Sequence, residues 1–190
     1  MKEIRIHGRG GQGAVLAASL LALAFVIEGK SAGGFPHFAT FEKRYSPVSS
    51  FVRFDEKEIR EQMQVYSPDC VIVLDAGLVK AVDLFQGLRN GGMVVWCQAN
   101  IPEGLALPQS ASKVGLVDAP RIATDVLGAR IYNTIMLGAF ARTTGWVEPK
   151  SIVSAVRQKM AEDLVEKNVK AVMAGYEGAR VVDRQEGQGT

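Results

Sequence analysis

Cysteine is nearly missing from this 190-residue chain, where only Cys70 and Cys97 occur. Without a C-x-x-C pair it has no thiolate set with which to ligate an iron–sulfur cluster by itself. Each cysteine lies inside an apolar run, where a free thiol packs as a small hydrophobe. Reduced, buried thiols fit a cytoplasmic, reducing setting. Histidine is equally scarce: His7 and His37 are the two present, so no His/Cys/Asp/Glu set shows metal-ligand spacing. No G-x-S-x-G elbow occurs, and neither histidine has an evident triad partner. Charge of one sign is also lacking. The 22 Lys and Arg nearly balance 20 Asp and Glu, and they are scattered rather than striped, which gives no footprint for nucleic acid. The apolar run 14–27 falls short of the roughly 20 residues that span a bilayer, and glycines precede it rather than a basic segment. It predicts a buried helix, not a membrane span or a signal peptide.

What remains is an ordinary globular composition, 47% hydrophobic and 22% charged. The length suits one domain, read here as residues 1–180 with a polar tail at 181–190. Residues 3–7 alternate apolar and charged and predict a first strand. The Ala- and Leu-rich run 14–28 predicts a helix closed by Gly29. Residues 31–47 show no clean period, with two Pro and three Phe, and predict an irregular loop holding at most one short strand. Residues 48–54 predict a strand, and the continuous apolar runs 70–74 and 93–97 have the form of buried parallel strands. A short helix through Leu84 and Leu88 is expected between these two, then a turn at Asn90-Gly91-Gly92. Residues 114–117 predict a further strand, and helices are expected over 122–127, 131–143, 149–160 and 164–176. The pattern specifies an α/β fold, a mostly parallel open sheet flanked by helices, Rossmann-like, with C-terminal helices.

The stretch IHGRGGQGAV joins the first strand to the first helix and satisfies G-x-G-x-x-G as Gly8-x-Gly10-x-x-Gly13. Such glycines let a ligand approach the main chain, and the free N–H groups of the following helix favour an anion. Arg9 adds a fork of donors suited to phosphate, and Gln12 can donate and accept. A dinucleotide site also needs a second strand ending in Asp or Glu about 20 residues on. That region reads GGFPHFATFEKR and has no such strand. A Walker loop is excluded because no Lys-Ser/Thr follows the glycines. Anion contact and a purely structural tight turn stay open, with NAD binding the weakest reading.

Elsewhere, Glu42, Lys43 and Arg44 stand among Phe35, Phe38, Phe41 and Tyr45, a solvated turn or an interface surface in equal measure. Asp75 at a strand end reads as the N-cap of the next helix. His7 reads as a satisfied loop histidine rather than a ligand-acting one. Asn133 inside an apolar helix reads as a buried polar contact or a helix-to-loop hydrogen bond. The chain thus offers an anion-capable loop without a nucleophile, acid–base pair or electron carrier, which points to a binding or assembly subunit.

The strings HGRGGQGAVLAASLLA, FEKRYSPVSSFVRF, YSPDCVIVLD and YNTIMLGAFARTTG, in this order across residues 2–176, resemble the gamma subunit of 2-oxoacid:ferredoxin oxidoreductases. Gly8, Gly10, Gly11, Gln12 and Gly13 match that family's glycine motif, and Glu42, Lys43, Arg44, Pro47 and Val48 its charged string. The resemblance implies a multi-chain enzyme that converts a 2-oxo acid and coenzyme A to acyl-CoA, carbon dioxide and two electrons. It further implies thiamine diphosphate on alpha and beta subunits and iron–sulfur clusters on the beta or a ferredoxin-like delta subunit. Ferredoxin or another acceptor takes the electrons. The gamma chain is then expected to help bind CoA through Gly8, Arg9, Gly10, Gly11, Gln12 and Gly13, to assemble through Glu42, Lys43 and Arg44, and to carry no catalytic residue or metal. Tyr45 and Ser46 depart from the Gly or Ala usual after the basic pair. The 2-oxo acid stays open, with aromatic acids such as phenylglyoxylate or indolepyruvate included. A free-standing NAD- or FAD-dependent oxidoreductase and a purely structural module are the alternatives.

Overall fold

The computed structural model describes residues 1–37, 46–60 and 63–184. The strands are β1 (Lys2–Arg9), β2 (Ser31–His37), β3 (Pro47–Asp55), β4 (Cys70–Val73), β5 (Gly92–Trp96), β6 (Ala111–Leu116) and β7 (Arg180–Asp183). The helices are α1 (Ala14–Ile27), α2 (Ala119–Ile122), α3 (Asn133–Thr144), α4 (Pro149–Lys159) and α5 (Glu162–Gly178). A 3-10 turn at Ala76–Lys80 follows β4, and a π turn at Ala123–Leu127 continues α2. The strands form one open sheet in the order β2-β3-β1-β4-β5-β6-β7. Its centre, β1, β4, β5 and β6, is parallel, as the apolar runs require, and β4 is buried along its whole length. The antiparallel pairs lie to either side: β3 between β1 and β2, and β7 against β6.

The helices gather on the sheet face of Ile4 and Ile6. α1 lies over β1, β2 and β3, α3 over β5 and β6, and α5 stacks on α3. An aromatic cluster binds this layer: Phe25 stacks on Phe54 at 3.8 Å between centroids, and Trp146 meets both Phe54 and Phe140. On the opposite face Glu3, Arg5 and His7 of β1 are buried as well. Burial of such groups requires partners. Arg53 donates to Glu3 at 2.7 Å, and Arg5 Nη2 donates to the carbonyls of Leu84 and Gln86 at 3.2 and 2.5 Å.

Those last contacts correct the helix expected through Leu84 and Leu88. Turns stand there, and two of their carbonyls serve the Arg5 guanidinium instead of a helical N–H. The irregular loop expected at 31–47 opens with β2, an edge strand of seven residues. Its period is hidden because Gly34 is pressed onto α1: a Cβ there would lie 2.7 Å from the Ala18 carbonyl oxygen. Residues 181–183, assigned to the polar tail by composition, belong to β7 and complete the sheet edge. The helix expected from residue 122 starts at Ala119, capped by Asp118, whose side chain accepts from the Arg121 N–H.

Candidate functional site

The glycine loop leaves the carboxyl end of β1 beside the carboxyl end of its parallel neighbour β4, where ligands of open α/β sheets bind. Two positive φ angles make the turn, 92° at Gly11 and 78° at Gly13. A side chain at Gly13 is disfavoured on two grounds: the left-handed backbone strains it, and its Cβ would collide with the Asn133 amide. Asn133 is thus the buried contact between helix and loop, closing on Gly13 from the first residue of α3. The Gly13 carbonyl then accepts from Ala17 and starts α1, which carries no side-chain cap.

Inside the loop the donors turn inward. Gly10 N–H donates to the Ser46 carbonyl and Gln12 N–H to that of Arg9, both at 3.0 Å. The Gln12 side chain accepts from Arg9 N–H at 2.7 Å and donates to Asp75 Oδ2 at 2.8 Å. Arg9 Nε donates to the same Asp75 oxygen at 2.9 Å, while Oδ1 accepts from Gly77 N–H at 2.8 Å. Asp75 is therefore the N-cap that its place in sequence indicated, and it is also the anchor of the glycine loop. The second role was hidden in sequence because 66 residues separate Asp75 from Arg9; the β1–β4 pairing, with His7 beside Val73, brings them together. Arg9 and Gln12, expected as open ligand donors, are engaged by this carboxylate.

Two cavities flank the loop. One, about 610 Å³, lies over the ends of the parallel strands and is lined by Gly10, Gly11, Gln12, Asp75, Arg130 and Tyr132, among others. The other, about 540 Å³, is largely apolar and runs along the start of α1, between Val15, Leu16, Ser19 and Val48. Gly10 and Gly11 line both, and among the described residues nothing stands within 4 Å of a Cβ placed on Gly11. The acid a dinucleotide site would use for ribose hydroxyls has a counterpart in Asp75, just beyond the carboxyl end of the neighbouring strand β4. Its carboxylate already accepts from three donors of the protein.

His7 sits in β1, not in a loop. Its Nδ1 lies 3.2 Å from Ser49 Oγ, and Nε2 is buried on the side of the Leu84 backbone. Burial, then the positive charge of Arg5, lowers its pKa from 6.5 to about 3, with the Leu84 backbone opposing in part. The folded chain refuses a proton that the unfolded chain takes up below pH 6.5, so stability is present above that pH and lost as pH falls toward 3. Between pH 6.5 and 5 the expected loss is about 2 kcal/mol. Urea unfolding at the two pH values should show it, and His7→Asn should flatten the difference; equal pH dependence in both proteins would refute this. Burial also pushes both thiols up, Cys97 to about 12, so neither is a nucleophile at neutral pH. Among the described residues no group of three or more His, Cys, Asp or Glu could hold a metal ion. Glu42, Lys43 and Arg44 lie outside the described residues.

The fold and site define a class: an open α/β sheet with a glycine loop at the carboxyl end of its parallel strands. Residues 3–178 match the pyruvate ferredoxin/flavodoxin oxidoreductase family, and the chain belongs to it as a gamma subunit. It is 45% identical over 177 residues to the NADH-dependent phenylglyoxylate dehydrogenase subunit gamma of Aromatoleum evansii, covering 93% of each chain. To the pyruvate/ketoisovalerate oxidoreductases common subunit gamma of Pyrococcus abyssi it is 44% identical, over 96% of this chain and 100% of that one. The crystal structure of pyruvate oxidoreductase subunit PORC from Thermotoga maritima superposes with a TM-score of 0.78 at 30% identity, covering 96% and 98%. The chain is thus one subunit of a multi-subunit 2-oxoacid oxidoreductase, and these findings give no support to the free-standing NAD or FAD enzyme. Among the described residues no helix is long and apolar enough to cross a membrane.

Proposed function

We propose that this gamma subunit helps bind coenzyme A and holds the assembly together, while partner chains perform the chemistry. The observation that carries it is the glycine loop between a cavity of mixed polar and apolar lining and a largely apolar one. CoA has a phosphate-rich nucleotide and a weakly polar pantetheine arm, and those two surfaces suit its two parts. Gly11 on the loop crest gives a phosphate close access to the main chain, and the uncapped start of α1 adds its dipole. Thiamine diphosphate and iron–sulfur clusters then sit on alpha, beta and ferredoxin-like delta subunits of a cytoplasmic complex. Electrons leave to ferredoxin or another acceptor. Glu42, Lys43 and Arg44 are proposed as assembly residues. The relatives' names span phenylglyoxylate and pyruvate/ketoisovalerate at nearly equal identity, which supports an oxo-acid choice made on other subunits.

Gly11→Asp in the assembled enzyme tests the CoA role. No atom of the described residues obstructs a side chain there, but its φ of 92° strains any residue other than glycine. The isosteric Gly11→Asn is therefore the reference, and against it the added carboxylate should raise the CoA KM about tenfold by repulsion with kcat little changed. An unchanged KM would leave the loop a structural turn.

A further inference from the structure

The acid that ends β4 is drawn into the glycine loop rather than toward a ligand, and this suggests a role beyond capping. We propose that Asp75 is the positioning residue of the glycine loop, the counter-anion that sets the loop's ligand-accepting shape; this rests on the CoA reading above. Three observations support it. Oδ2 is shared by Arg9 Nε and Gln12 Nε2 at 2.9 and 2.8 Å, so one atom holds both side chains of the loop. Gln12 relays the hold to the main chain, because its Oε1 fixes Arg9 N–H at 2.7 Å. Oδ1 is fastened from the other side by Gly77 N–H, so the carboxylate cannot follow the loop if the loop moves. The side chains of Arg9 and Asp75 are 30% and 22% exposed, so the pair sits at the cleft wall, shielded from most solvent.

The arrangement divides the labour of the loop. The main-chain N–H groups of Arg9, Gly10 and Gln12 are spent on holding shape, and Gly11 forms the crest that both cavities share. Charge-assisted hydrogen bonds are the strong ones, and a preset loop loses less freedom on binding. Asp75 acts through Arg9 and Gln12 and need not touch the ligand.

Asp75→Asn separates the hold from the cap. An Asn oxygen can still accept from Gly77 N–H, but its NH2 group then faces the Arg9 and Gln12 donors and cannot accept. Gln12→Leu cuts the relay and leaves Asp75 and its cap intact. In the purified complex, both variants should speed amide hydrogen exchange across residues 8–13 at an unchanged melting temperature. Each should raise the CoA KM about fivefold with kcat within about twofold, and the double variant should be no worse than the poorer single one. Unchanged loop exchange in Asp75→Asn overturns the proposal. So does faster exchange with an unchanged CoA KM where Gly11→Asp does raise it, since Asp75 would then shape the loop without positioning anything. If Gly11→Asp also leaves the CoA KM unchanged, the CoA reading itself has failed, and the proposal falls with it.

Discussion

Gly138→Ala and Gly175→Ala should each destabilise the chain by about 2–3 kcal/mol, out of the 5–15 typical of a whole domain. The reason is the crossing of α3 and α5. A Cβ on Gly138 would collide with the Val172 carbonyl oxygen, and one on Gly175 with that of Ile135. Each helix presses a glycine onto the other's backbone, and no side chain stands there that could rotate away. Either methyl group forces the axes apart, and with them Ile135, Met136, Phe140 and Val172, all fully buried. Alanine's better helix propensity returns about 1 kcal/mol, and the net figure above includes it. Because one separation of the helices relieves both collisions, the double variant should cost clearly less than the sum. Urea midpoints followed by circular dichroism measure this; single costs under about 0.5 kcal/mol would show that the crossing has slack.

The other large effect is expected at Arg53→Met, at about 3–5 kcal/mol. Arg53 is 3% exposed, with Nε on Glu3 at 2.7 Å and Nη1 on the Met63 carbonyl at 2.6 Å. Glu3 also accepts from Arg89 at 2.7 Å, and Arg89 reaches Asp69 at 2.9 Å, so the cluster ties β1, β3 and the entries to β4 and β5 together. Replacing Arg53 leaves a 6% exposed carboxylate with the half-exposed Arg89 as its remaining charged partner among these contacts. Water cannot make up the difference at that depth. Adding Glu3→Gln to Arg53→Met should recover a substantial part of the loss, because the buried carboxylate that keeps only Arg89 as a charged partner goes. If the single variant costs less than about 1 kcal/mol, the cluster is ornamental. If the double is simply additive, Glu3 and Arg53 do not act as a pair.

Much of this was legible locally. Gly8 to Gly13, the helix they open, the apolar strands at Cys70 and Met93 and the cap at Asp75 follow from short-range rules: glycine for positive φ, periodicity for burial, a carboxylate for free N–H groups. The matched strings carried the family. What local rules could not place was the charge in β1. Glu3, Arg5 and His7 alternate with isoleucine as on a half-exposed strand, yet both faces are buried. Their partners, Arg53, the Leu84 and Gln86 carbonyls and Ser49, lie 42 to 81 residues away.

The amino-acid sequence by itself determined the central strands, the long helices, the glycine loop and the kinship, since each depends on residues within a few turns of one another or on strings read in order. Tertiary structure alone decided that β3 enters antiparallel between β1 and β2, and that the parallel neighbour of β1 is β4. That choice places Asp75 against Arg9 and Gln12, where one carboxylate oxygen accepts from both side chains. The physical reason is that strand order follows from which apolar faces bury best together, a balance over the whole core. Hydrogen bonds across strands then bring together residues whose chemistry gives no sign of the partnership along the chain.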